Sequence, residues 1–137
     1  RGGSPIQNQI IDGEKTSAVT IFKMGKGIDD GDIISQSTFS LDGDIKDIFK
    51  RMSDLGFSST FDIITKGYLL REQDHNQATT CKRRQPSDSE ITIDEIKNNT
   101  AEYLHNKIRM LTDPYPNAYI KCKDGSKLYL IKSYYND

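Results

Sequence analysis

Hydrophobic positions recur along this chain in two rhythms, one helical and one strand-like, and they predict a mixed order of elements. After Ser4-Pro5, Ile6 and Ile10 with Ile11 beside them mark one face of a short helix that Asp12-Gly13 ends. Ser4 is expected to cap its free N–H groups, and Pro5 is preset for its first position. Ala18 to Lys23 is a β-type run, expected to be buried on both faces. Ile33 to Gln36 predicts a second short strand, with Phe39 and Leu41 extending it past a break. From Asp44, the residues Ile45, Ile48, Phe49, Met52 and Leu55 keep an amphipathic helical spacing that Gly56 is expected to stop. A further helix is predicted over 57–70, with Phe61, Ile64 and Tyr68 on one side.

Residues 72–90 break the rhythm with a polar, irregular stretch that reads as a domain edge. Periodicity resumes in a helix capped by Thr100, in which Leu104, Ile108 and Leu111 share a face. Asp113-Pro114-Tyr115-Pro116 ends it, because prolines cannot continue a helix. The chain then alternates in polarity on either side of Asp124-Gly125, which predicts a β-hairpin with a two-residue turn of positive φ.

Composition changes this picture little. The 137 residues are 28% charged and 34% hydrophobic, with no tryptophan. That suits one soluble domain with a modest core. Nineteen basic residues against twenty acidic ones give a net charge of −1, which speaks against a nucleic-acid-binding protein. No apolar run approaches the ~20 residues of a membrane span. Cys81 and Cys122 have no CxxC partner and read as free thiols of a cytoplasmic protein, and no metal site is expected.

The candidate chemistry lies mainly between the first two strands. Met24 to Asp32 holds three glycines and three aspartates in nine residues. Glycines let a flat ligand approach the backbone, and a carboxylate between strands is well placed for work at a sheet edge. An ordinary polar connection would show the same composition. The aspartate spacing does not fit a twelve-residue calcium loop. Lys82-Arg83-Arg84 can bind phosphate oxygens or be solvated surface. His75 and His105 stand singly in polar contexts and read as surface residues.

Longer blocks carry a resemblance. Arg1 to Gln7, Asn8 to Thr16, Val19 to Met24 and Gly27 to Ile34 follow one another in an order that resembles the formyltransferase family. That family includes methionyl-tRNA formyltransferases, phosphoribosylglycinamide formyltransferases and nucleotide-sugar N-formyltransferases. Ala78 to Cys81 with Arg83, Arg84, Pro86, Asp88 and Ser89, and later Leu104 to Asn106 with Asp113 to Tyr119, are similar to the sugar branch.

The resemblance implies an α/β fold. Residues 1–90 would be the C-terminal portion of a Rossmann-like formyltransferase catalytic domain, and residues 91–137 a helix and β-hairpin extension. It implies transfer of a formyl group from N10-formyltetrahydrofolate to the amino group of a dTDP- or UDP-linked amino sugar. Asp29 matches the family's catalytic aspartate. Gly3, Gly25, Lys26, Gly27, Ile28 and Asp29 would lie along the folate, and Arg83, Arg84 and Tyr115 would contact the acceptor. The family's catalytic Asn and His belong to an Asn-x-His-x-Ser-x-Leu-Pro motif expected before Arg1. The intact protein is therefore expected to be an enzyme, this piece alone inactive, and the terminal hairpin a homodimer contact. The rival expectations are a methionyl-tRNA formyltransferase and a non-catalytic split-gene module.

Overall fold

The computed structural model describes residues 1–136. The elements are α1 (Pro5–Ile11), β1 (Thr16–Phe22), β2 (Ile33–Ser40), α2 (Ile45–Lys66), α3 (Ile93–Asn98), α4 (Ala101–Met110), β3 (Ala118–Lys121) and β4 (Lys127–Leu130). Two short 3-10 turns, His75–Gln77 and Pro86–Ser89, punctuate the long segment between α2 and α3. The class is mixed α/β, as expected. Among the described residues the strands form two antiparallel pairs, β1 with β2 and β3 with β4. Strand β1 is half-exposed on both faces rather than buried on both, because the sheet it belongs to has only two strands.

One apolar cluster joins the elements. Ile10 of α1, Leu41 after β2, Ile45 and Ile48 of α2, and Met110 of α4 are fully buried in it. Burying a side chain of this size removes it from water at a gain of roughly 1.5–3 kcal/mol. Polar groups fasten the same region. Arg109 donates to the carbonyls of Leu41 and Gly43 at 2.8 and 2.7 Å and to Asn106 Oδ1 at 2.8 Å, tying α4 to the turn before α2.

Several expectations need correction. Gly56 does not stop a helix: α2 runs unbroken for 22 residues and ends at Gly67, whose φ of 78° terminates it. Interior glycine costs only about 1 kcal/mol, and two abutting segments with one helical rhythm fuse at less cost than two new ends. The helix expected to reach residue 70 stops at Lys66, so Tyr68 lies beyond it, and Phe61, Ile64 and Tyr68 are all exposed.

Ser4 does not cap α1. Its φ of 56° is left-handed, its side chain makes no cap bond, and its hydroxyl instead accepts the Arg84 N–H at 3.2 Å. Pro5 does occupy the first turn as expected.

The terminal hairpin forms, but with a three-residue connection. Cys122 N–H reaches Ser126 O at 2.8 Å, leaving Lys123, Asp124 and Gly125 in the loop with only Gly125 at positive φ. The Asp124 carboxylate accepts both the N–H and the hydroxyl of Ser126, which favours this wider turn.

Helix α3 was not expected at all, although Thr92 accepts the Glu95 N–H at 3.1 Å and Glu95 stands where a capping box places it. The stretch 72–90 is also less irregular than its composition. Arg71 pairs with Ile33, and Cys81 with Gly2, in isolated bridges that tie it to the strands and to the chain's first residues.

Candidate functional site

The glycine–aspartate loop is a hairpin connection closed at its neck, where Lys23 N–H donates to Asp32 O at 2.9 Å. Gly31 lies against that neck, and a Cβ there would stand 1.6 Å from the Lys23 carbonyl oxygen. Within the loop the two adjacent carboxylates point to different tasks. Asp30 folds inward: Oδ2 accepts the Gly27 N–H at 3.1 Å, and Oδ1 is buried without a partner. Its carboxylate fills the space that side chains at Gly25 and Gly27 would need, with hypothetical Cβ atoms at 2.4 and 2.2 Å. A side chain at either glycine would oblige the Asp30 carboxylate to move.

Asp29 is turned outward. Its φ of 52° is left-handed, it is exposed, and Oδ2 accepts the Gly2 N–H at 3.3 Å. Left-handed backbone is uncommon for residues other than glycine, though aspartate adopts it more readily than most. Met24 and Ile28 flank the loop with 91% and 77% of their surface exposed, so the rim beside Asp29 is apolar. Lys26 is exposed on the same loop.

A second segment braces this loop. Gln73, half-buried, donates through Nε2 to the carbonyls of Asp29 and Gly31 at 3.2 and 2.6 Å. Its Oε1 accepts from the Arg1 guanidinium at 3.0 Å, and the same Arg1 nitrogen lies 2.9 Å from His75 Nδ1. A guanidinium has no acceptor, so His75 Nδ1 receives this hydrogen bond. Arg1, Gly2 and Gln73 carry no local signal of a site, and His75 is exposed, as its polar context predicts. Their proximity to Asp29 depends on chain segments more than 25 residues apart, and no local pattern marks it.

On the other side of residues 1–4 lies a cleft of about 550 Å³. Gly3, Arg83, Arg84 and Tyr115 all line it, over an apolar floor that includes Ile6, Phe49, Met52 and Leu111. Arg83 is exposed. Arg84 is half-buried, donates to Asp88 O at 2.8 Å, and has an Nε that is buried without a partner. Tyr115 sets its ring edgewise to Phe49, with centroids 6.0 Å apart, so it packs the floor while facing the cleft. The three predicted acceptor residues, Arg83, Arg84 and Tyr115, thus line one cleft. Gly3 stands on this side, against Arg83, while its neighbour Gly2 reaches Asp29.

Among the described residues no group of three or more His, Cys, Asp or Glu side chains could hold a metal ion, and no helix is long and apolar enough to cross a membrane. Cys81 and Cys122 are unpaired.

No family model matches the chain. Individual proteins do. The chain is 35% identical to the methionyl-tRNA formyltransferase of Syntrophomonas wolfei over 140 aligned positions, covering 97% of this chain and 43% of that protein. The solved methionyl-tRNA formyltransferase from Clostridium thermocellum superposes with a TM-score of 0.78 at 33% identity, over 94% of this chain and 61% of the other. Over the residues it has, the chain belongs to the formyltransferase family. Other N-formyltransferases share the fold: a 4-N formyltransferase from Francisella tularensis superposes with a TM-score of 0.73 at 22% identity, over all of this chain and 58% of the other. A sugar 3-N-formyltransferase, solved in the presence of dTDP and 5-N-formyltetrahydrofolate, superposes with a TM-score of 0.67 at 22% identity, over 85% of this chain and 45% of the other. The chain spans less than half the length of the curated relatives it matches.

Proposed function

We propose that this chain supplies the donor loop and the acceptor cleft of an enzyme that transfers a formyl group from N10-formyltetrahydrofolate to a primary amine. The observation that carries the reading is Asp29, held outward on a glycine loop whose rim is apolar. In such a transfer the amine attacks the formyl carbon, the bond to the folate nitrogen breaks, and the proton lost by the amine ends on that nitrogen. A carboxylate beside the proton-accepting group stabilises its charged form and raises its pKa. Asp29 fills that role. Met24, Ile28 and the backbone of Gly25 and Gly27 offer the flat surface along which a pterin lies.

The acceptor in this reading is a dTDP- or UDP-linked amino sugar. Arg83 and Arg84 supply positive charge and planar donors of the kind a diphosphate takes, Tyr115 offers a ring face, and about 550 Å³ suits a compact ligand. A second reading has its own observation: curated relatives at 35%, 31% and 36% identity are named methionyl-tRNA formyltransferases. The acceptor would then be the amino group of methionyl-tRNA.

One experiment tests both. The intact protein is given N10-formyltetrahydrofolate with either dTDP- and UDP-linked amino sugars or methionyl-tRNA, and the formylated product is identified. Formylation of a nucleotide sugar is expected; formylation of methionyl-tRNA alone overturns the choice of acceptor in favour of the second reading. Asp29→Asn is expected to lower turnover roughly 100-fold or more with the fold unchanged. Near-normal turnover in that variant removes Asp29 from the mechanism.

A further inference from the structure

We infer that Gln73 is a positioning residue for the Asp29 carboxylate, an inference that rests on the role proposed for Asp29 above. Gln73 lies 44 positions away in sequence, in a segment whose composition is that of an ordinary polar connection. Its amide nevertheless spans the loop at the carbonyls on either side of Asp30, Asp29 O and Gly31 O. The first bond holds the peptide plane that follows Asp29, on which the direction of its side chain depends, and the second anchors the loop two residues further on.

The orientation of the amide is determined by its partners. Carbonyl oxygens only accept and a guanidinium only donates, so Nε2 must face the loop and Oε1 must face Arg1. Arg1 in turn precedes Gly2, whose N–H holds Asp29 Oδ2. Gln73 therefore grips both supports of the carboxylate: the left-handed backbone beneath Asp29 and the segment that receives its oxygen. Asp30 braces the loop from within through Gly27 N–H but does not reach Asp29 or residues 1–3. Gln73 alone among the described side chains bonds to both the loop and Arg1.

Two substitutions separate the bonds. Gln73→Glu keeps the length and an oxygen for Arg1 but presents an acceptor to two carbonyls, so the loop contacts are lost. Gln73→Leu removes all three bonds. In the intact protein both variants are expected to lower kcat by about tenfold to a hundredfold, the scale on which a displaced reacting group is felt. The acceptor KM and the melting temperature should stay at their wild-type values. Amide hydrogen exchange measured on the intact protein should become faster at Gly2 and Gly27 in both variants, and stay unchanged in α4. Wild-type kcat, or a kcat that falls only in step with the amount of folded protein, overturns the inference. So does exchange at Gly2 and Gly27 that does not move. Asp29→Asn is assayed alongside: if it is inactive while the Gln73 variants are fully active, only the Gln73 inference fails. If Asp29→Asn is itself fully active, the reading beneath it fails.

Discussion

A Cβ placed on Gly3 would stand 2.5 Å from the Cβ of Arg83, so the chain's first residues and the segment at 81–84 run against each other with no room for a side chain between them. Backbone bonds seal the contact: Gly3 N–H donates to Cys81 O at 3.0 Å, and Cys81 N–H to Arg1 O at 2.7 Å. This seam has the Asp29 loop on one side and the arginine-lined cleft on the other.

Gly3→Ala should force the seam apart. A methyl group driven into packed backbone costs about 1–3 kcal/mol. The expected outcome is a loss of that size in urea unfolding, with faster hydrogen exchange at Cys81. Unchanged exchange there would mean that the two segments separate easily.

Gly27 and Asp30 should be coupled. A Cβ on Gly27 meets the Asp30 carboxylate at 2.2 Å, so Gly27→Ala should disrupt the loop through that clash. Adding Asp30→Gly removes the obstacle. A double-mutant cycle in thermal unfolding should show the pair to be less damaging than the sum of the single variants, by about 0.5 kcal/mol or more. Strict additivity would mean that the loop relaxes without Asp30 moving.

Lys107 is buried with Glu95, its Nζ lying 2.7 and 2.8 Å from the two carboxylate oxygens and 2.7 Å from Glu90 O. Lys107→Met leaves the Glu95 charge with little water and no countercharge, which should cost about 3–5 kcal/mol in denaturant unfolding. Glu95→Gln in the same background should recover part of that loss.

Tyr103 should make the fold sensitive to alkali. Burial first, and then the hydrogen bond to Glu95, raise its pKa above the ordinary 10.0. The unfolded chain therefore releases this proton at lower pH than the native chain does. This contribution is fully present below about pH 10 and is lost as pH rises through the folded-state pKa. Tyr103→Phe should flatten the fall in melting temperature above pH 10, and ultraviolet titration of the native chain should show a phenol that ionises late.

The elements that could be read in advance are those whose information is local. The Ile6–Ile10–Ile11 face, the Ile45–Ile48–Phe49–Met52 stripe and the Thr100 cap each lie within one or two helical turns, and each is found where expected. Errors arose where a local signal competed with a distant partner. Ser4 has the side chain of a cap, but its hydroxyl oxygen accepts the backbone N–H of Arg84, 80 positions away. Gly56 has the residue type of a stop, yet a helix interior tolerates it once packing on one face is continuous.

The candidate site divides in the same way. The loop at 24–32 and the arginines at 83 and 84 were visible as clusters of residue type, though an ordinary polar connection or solvated surface has the same composition. Which of the two aspartates faces outward was not visible in physical terms, since adjacent carboxylates differ only in what the backbone does beneath them. The structure turns Asp30 onto the Gly27 N–H and Asp29 onto the Gly2 N–H.

Sequence alone therefore determined α1, the first turns of α2, α4, the strand pairs, the glycine loop and the likeness to formyltransferases, all of which are written in short-range order. Only the tertiary structure decided that Gln73 and Arg1 brace Asp29, and that Arg83, Arg84 and Tyr115 share one cleft. Those meetings are set by the packing of α1, α2 and α4 on one core and by backbone pairing across the seam. Hydrogen bonds of about 3 Å between residues dozens of positions apart leave no periodic trace in a sequence, because their partners are chosen by geometry and not by spacing.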